Sequence, residues 1–197
     1  MKLIIVRHGE TTDNAAKILM GQSPGKLSEK GKMQAVKLGE RLAKEKIDYV
    51  FSSDLARAAD TTKEIIKRGK NRPAVKYLKL LRERHMGELQ GKPWEIFKEA
   101  IKEQPKTTFK PKGGESMTEV HARALKFFRM INAKKYEEKT ILVCSHHGFI
   151  STLFANILNI SIEQALAIKN DNTSVTVIEL NHGKAKQVKM NCTEHLD

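Results

Sequence analysis

Two short apolar runs, Lys2–Val6 (KLIIV) and Thr140–Cys144 (TILVC), each stop at once in polar sequence that carries histidine. Arg7-His8-Gly9-Glu10 follows the first, and Ser145-His146-His147-Gly148 follows the second. A continuous β-favouring run has no polar side to give to water, so it reads as a strand covered on both faces, as in a parallel sheet between helix layers. In such sheets ligands gather beyond the carboxyl ends of the strands. Both histidine loops fall there, and His8 and His146 need only lie on neighbouring strands to share a pocket.

The chain between these runs supplies the covering layers. From Ser28, a good N-cap, residues Ala35, Val36, Gly39, Leu42 and Ala43 recur on one helical face, which predicts a helix to about Lys46. Tyr49–Ser53 reads as a strand, and Leu55–Gly69 as a helix with Ala58, Ala59, Thr62, Ile65 and Ile66 on one side. Val75–Leu81 is expected to be a strand and Trp94–Glu103 a short helix opened by Pro93, while Arg82–Lys92 between them keeps neither period. Ser116-x-x-Glu119 is a capping box opening a helix with Val120, Ala124, Phe127, Phe128 and Ile131 on its apolar side. Phe149–Leu158 is an apolar helical run, and Ser174–Leu180 and Lys186–Met190 read as strands around Asn181-His182-Gly183. The expected fold is α/β, a three-layer α/β/α arrangement with a mostly parallel mixed sheet and helices on both faces. With 197 residues and neither repeat nor linker, one domain over 1–197 is expected.

Lys and Arg number 36 against 23 Asp and Glu, a balance of +13 that favours acidic partners. The lysines are spread over nearly every segment with no block of five, the pattern of a solvated surface, so no nucleic-acid partner is expected. Only Cys144 and Cys192 occur, which fits a reducing compartment, and no apolar stretch approaches membrane-spanning length. The expected setting is cytoplasmic, without a membrane partner; the oligomeric state is left open.

Arg7 offers a planar fork suited to phosphate, neutral imidazole at His8 can attack phosphorus, and Gly9 leaves space beside it. Arg57 adds a second guanidinium in the first turn of a helix just past a strand end; its bland reading is a surface pair with Asp54 or Asp60. Glu83 sits among cations in the irregular stretch, either as an acid or as a counter-ion. A metal is not expected: there is no His-Glu-x-x-His pair and no Cys-x-x-Cys, and the adjacent His146 and His147 need not converge on one ion. The common nucleotide-binding glycine motifs are absent, and no cofactor is expected.

LIIVRHGETTDN, FSSDLARAADTT, LRERHMGELQGK, PKGGESMTEVHAR, VCSHHGFIS and NTSV, in this order, resemble the motifs of the histidine phosphatase superfamily, with its phosphoglycerate-mutase-like fold, through nearly the whole chain. The resemblance implies that His8 is a nucleophile that becomes transiently phosphorylated, with Arg7, Arg57 and His146 around the phosphoryl group and Glu83 protonating the leaving oxygen. It further implies that Thr11 and Asn14 border the phosphate and that Ser145 lies in the second histidine motif; Gly9 and His147 complete the expected phosphate-binding set. Two arginines and a protonated His146 are expected to stabilise the charge that builds on the equatorial oxygens.

Within the family, Glu83-Arg84-His85 is similar to the mutases, but Met86 stands where they have Tyr, and their longer insert is missing between Gly91 and Glu115. Leu81–Arg84 and the compact chain resemble the stand-alone phosphatases. Metal-independent hydrolysis of small, sugar-phosphate-like monoesters is therefore the expected activity. Cofactor-dependent mutase-type transfer, and a non-catalytic basic module binding phospho-ligands or nucleic acid, are the alternatives.

Overall fold

A computed structural model of the chain describes residues 1–181 and 184–197. The strands are β1 (Lys2–Arg7), β2 (Tyr49–Ser52), β3 (Val75–Tyr77), β4 (Thr140–Ser145), β5 (Val175–Asn181) and β6 (Lys184–Cys192). They form one sheet in the order β3-β2-β4-β1-β5-β6, parallel across the first four and antiparallel for the last two. The helices are α1 (Thr12–Ala15), α2 (Glu29–Leu42), α3 (Ala56–Arg68), α4 (Trp94–Ala100), α5 (Met117–Ile131), α6 (His147–Leu158) and α7 (Ile162–Ala167).

Side chains alternate across a strand, so each apolar run feeds two cores. Leu3, Ile5, Phe51 and Val143 join Val120 and Phe127 of α5 and Leu153 of α6 on one face. Ile4, Val6, Val50 and Leu142 meet Leu38 and Leu42 of α2 and Ala58 and Ile65 of α3 on the other. Coverage on both faces is what the unbroken apolar runs required.

Register then sets the site. β1 and β4 are direct neighbours, with Val6 opposite Cys144 and Arg7 opposite Ser145, so the two histidine loops leave the sheet side by side. Ser52 of β2 lies opposite Cys144, which brings the start of α3 to the same place. β5 runs against β1, with Val175 opposite Val6, and so delivers the loop before it to this edge as well.

Several boundaries differ from expectation. Only Val75–Tyr77 of the third predicted strand pairs, because its partner β2 ends at Ser52; a 3₁₀ turn at Lys79–Leu81 then carries Leu81 into the core. The helix α2 stops at Leu42 and α4 at Ala100, short of Lys46 and Glu103. The helix α6 begins at His147, two residues before its apolar run. The turn residues His182 and Gly183 lie outside the described residues. No helix among the described residues is long and apolar enough to cross a membrane.

Candidate active site

His8 leaves β1 with its backbone N–H on the Ser145 carbonyl of the β4 end, 3.0 Å away. Its Nδ1 lies 2.7 Å from the carbonyl of Gly9. A carbonyl only accepts, so Nδ1 carries the proton and Nε2 keeps its lone pair. Asn172, in the loop before β5, donates from Nδ2 to the His8 carbonyl at 2.9 Å, and Thr61 of α3 accepts from Gly9 N–H at 3.0 Å. The imidazole is therefore held from both sides of its own backbone.

Arg57 is on the buried face of α3 and is 1% exposed, so the surface pairing does not occur. Asp54 instead holds Arg82 and Asp60 holds Lys63. Arg57 donates from Nη1 to Ser23 O at 2.8 Å and from Nη2 to Gly21 O at 2.7 Å, which fixes the plane of its guanidinium. Its Nε points between the two imidazoles, 3.3 Å from His8 Nε2 and 3.2 Å from His146 Nδ1. Arg7 donates from Nη1 to Asn170 O at 2.9 Å, while its Nε is buried with no acceptor among the described residues. An unmet buried donor costs about 1–3 kcal/mol, a debt that an anion's oxygen can relieve.

The ring centroids of His8 and His146 are 5.0 Å apart. Because Arg57 Nε can only donate, His146 accepts at Nδ1 and carries its proton at Nε2, directed at Ser53 Oγ 2.8 Å away. Burial, then Arg57, His8 and Arg7, hold its pKa well below the ordinary imidazole range. The expected protonated His146 is thus corrected to a neutral one, lying behind Arg57 and outside the cavity lining. Burial, Arg57 and Arg7 likewise push His8 far down, leaving a free-base nitrogen at neutral pH. Burial lowers Arg57 to about 10 and lowers Arg7 too, yet both stay cationic near neutrality.

Glu83 completes the cup. Its carboxylate accepts from Arg84 N–H at 2.8 Å and from Gly148 N–H, in the first turn of α6, at 3.1 Å. It thereby satisfies a helix N-terminus that has no side-chain cap of its own. A Cβ on Gly148 would stand 2.6 Å from Glu83 Oε1, so only glycine admits the carboxylate here. Arg123 of α5 fixes the backbone beneath, donating to the carbonyls of Leu80, Arg82 and Glu83 at 2.9, 2.8 and 3.1 Å while pairing with both oxygens of Glu115.

A cavity of about 470 Å³ opens above this floor, lined there by Arg7, His8, Arg57, Glu83, His147 and Gly148. Asn14 also lines it, although its Oδ1 accepts from Thr11 N–H. His147 is turned by Asn170, whose Oδ1 lies 3.1 Å from Nδ1. Three expected phosphate contacts are placed elsewhere. Thr11 is the buried N-cap of α1, Ser145 donates to Leu81 O at 2.7 Å, and a Cβ on Gly9 would meet Gly31 O at 2.6 Å. These residues shape the loops, and the glycine makes room for α2 rather than for the imidazole's neighbour. Ser53, Asn170, Asn172, Arg123 and Gly148 went unnoticed in the sequence as site residues; the adjacency of Ser53 to Asp54, and NTSV, were the available signals. Among the described residues, no group of three His, Cys, Asp or Glu side chains is placed to hold a metal ion.

Residues 3–193 match the histidine phosphatase superfamily (branch 1). The chain is 37% identical over 191 residues to the metal-independent phosphoserine phosphatase of Arabidopsis thaliana, covering 93% of this chain and 78% of that protein. It is 30% identical over 203 residues to phosphoserine phosphatase 1 of Hydrogenobacter thermophilus, covering 100% and 94%. The solved mycobacterial glucosyl-3-phosphoglycerate phosphatase in complex with VO3 superposes with a TM-score of 0.86 at 29% identity, over 98% of this chain and 99% of that one. Motif order, sheet topology and the converging side chains agree: the chain belongs to the histidine phosphatase superfamily, among its phosphoric monoester hydrolases.

Proposed function

We propose that residues 1–197 act as one domain that hydrolyses phosphate monoesters by way of a phosphohistidine at His8, without a metal. The observation that carries this is the 2.7 Å contact of His8 Nδ1 with Gly9 O, which places the ring proton on Nδ1 and leaves the Nε2 lone pair at the cavity floor beside Arg57. When a phosphoryl group enters, its oxygens take the donors of Arg7 and Arg57, and Nε2 attacks in line with the ester bond. The P–N bond forms as the P–O bond breaks, and the leaving oxygen takes the proton that Glu83 carries as a carboxylic acid at the start of each cycle and regains from water in the second step. Glu83, now a carboxylate, removes a proton from water as it attacks phosphorus. The P–N bond breaks, and inorganic phosphate and the free base of His8 are restored. The arginines supply the positive charge that a metal would otherwise bring.

Phosphate release from a panel of monoesters, measured with and without a chelator, tests the reading. Turnover is expected to survive the chelator and to fall at least ~10⁴-fold in His8→Ala, the scale lost when a covalent nucleophile is removed. Undiminished release by His8→Ala contradicts it.

A further inference from the structure

We propose that the ester body carried by this site is apolar, an alkyl or aryl group rather than a polyhydroxylated sugar or a second phosphate; the proposal deepens the phosphatase reading and rests on it. The leaving oxygen must lie at Glu83, so the carbon attached to it starts on the Glu83 side of the cup. The surroundings there are hydrocarbon. The terminal methyl carbon of Met117 lies 3.7 Å from the position a Cβ on Gly148 would take, beside the carboxylate. Beyond it the cavity wall is formed by Leu19, Met20, Met86, Phe97 and Ile101, with Leu166 of α7 also on the lining. Leu19, Met86 and Phe97 pack together as a small core of their own, so this wall is built rather than a chance grouping of exposed residues.

The guanidinium set in this wall is partly committed to the protein. The Arg84 guanidinium lies between the rings of Phe97 and Phe109, 5.6 and 5.7 Å from their centroids. It donates from Nε to Glu115 O at 2.7 Å and from Nη2 to Phe109 O at 2.6 Å. Two of its three nitrogens are thus turned to backbone carbonyls. The carbonyls of Gly21 and Ser23 are taken by Arg57. Hydroxyls laid against the side chains of Leu19, Met20, Met86, Phe97 and Ile101 would lose water without gaining partners, which is unfavourable, whereas each methylene moved from water onto such a wall is worth about fourfold in binding. Lys98 and Lys106 add exposed cations to the lining that draw an anionic ester toward the mouth.

The test is a series of esters whose leaving alcohols are alike in acidity: ethyl, butyl and hexyl phosphate, with glycerol 3-phosphate and glucose 6-phosphate as polar-bodied comparators. The expected result is a rise in kcat/KM along the series, with hexyl at least ~10-fold above ethyl and above both polar esters, since a few of the added methylenes reach the wall. In Ile101→Asn and Leu166→Asn, both checked for native circular dichroism, the hexyl-to-ethyl ratio is expected to fall by ~3-fold or more. A flat or falling series, or preference for the polar esters, overturns the proposal while leaving phosphatase action standing. A rising series whose ratio is unchanged in both variants overturns the assigned wall. Absence of turnover on every ester, or turnover equal in His8→Ala, removes the phosphatase reading and this inference with it.

Discussion

At the scale of single residues, the site orients its groups through bonds to the protein while leaving Arg7 Nε without an acceptor among the described residues. Glu83 has its two oxygens on backbone donors of Arg84 and Gly148, which aims the carboxyl without consuming a side chain. Glu83→Gln cannot deliver a proton, and its amide keeps one acceptor oxygen for the two backbone donors. Its turnover is expected to drop ~10²–10⁴-fold on alkyl phosphates and far less on 4-nitrophenyl phosphate, whose leaving group needs no proton; equal losses on both would remove the acid role. His8 and His146 are held neutral by burial and by the arginines. The unfolded chain takes up protons at the ordinary imidazole value near 6.5 while the folded chain does not. Stability therefore falls as pH drops below about 6.5, by about 1.4 kcal/mol per pH unit for each such histidine, until its depressed folded pKa is reached. Urea unfolding at pH 7.5 and 5.5 reads this, and the loss is expected to be smaller in His8→Gln; a wild-type stability that is level across this window contradicts the assignment. His8, Arg57 and Glu83 were legible in the sequence because motif order marked them. The charge of His146 was not, because it depends first on complete burial and then on a guanidinium that arrives from another helix.

At the scale of elements, the sheet edge assembles what no segment holds alone. The strand ends of β1 and β4, the first turn of α3 and the loop before β5 each bring one part. Strand and helix identity was legible from period and caps, as in the capping box of Ser116 and Glu119 that opens α5. Less visible was how elements end when the reason lies in another element. β3 stops where β2 stops, and α6 starts at His147 because Glu83 caps it from outside. The short α7 did carry a signal, Ser161-x-x-Gln164, which forms a capping box. Arg123 is the clearest positioning residue, tying α5 to the carbonyls of Leu80, Arg82 and Glu83. Lysine cannot span these acceptors and both oxygens of Glu115 together. Arg123→Lys is expected to lower kcat by ~10-fold or more on alkyl phosphates and less than ~3-fold on 4-nitrophenyl phosphate, with KM nearly unchanged. A purely structural role would depress both substrates alike.

At the scale of the whole molecule, one topological fact organises the chemistry: the first strand of the chain lies beside β4, which is formed far later in sequence. That adjacency was the requirement set by the two histidine loops, and the parallel register from Lys2–Thr140 to Arg7–Ser145 meets it. The antiparallel β5 then lets Asn170 and Asn172 reach back to Arg7 and His8, a contribution that no local pattern announces because the partners lie at opposite ends of the chain. The basic surface and the two-guanidinium cup act in the same direction, gathering an anion and holding it over one nitrogen. The most direct measurement is rapid-quench trapping with a ³²P-labelled monoester, followed by peptide mapping of the label. The prediction is an acid-labile, alkali-stable phosphoryl group on His8, formed before phosphate is released and missing from His8→Ala. Turnover at full rate with no label on the protein, or with the label on His146 or another side chain, would contradict it.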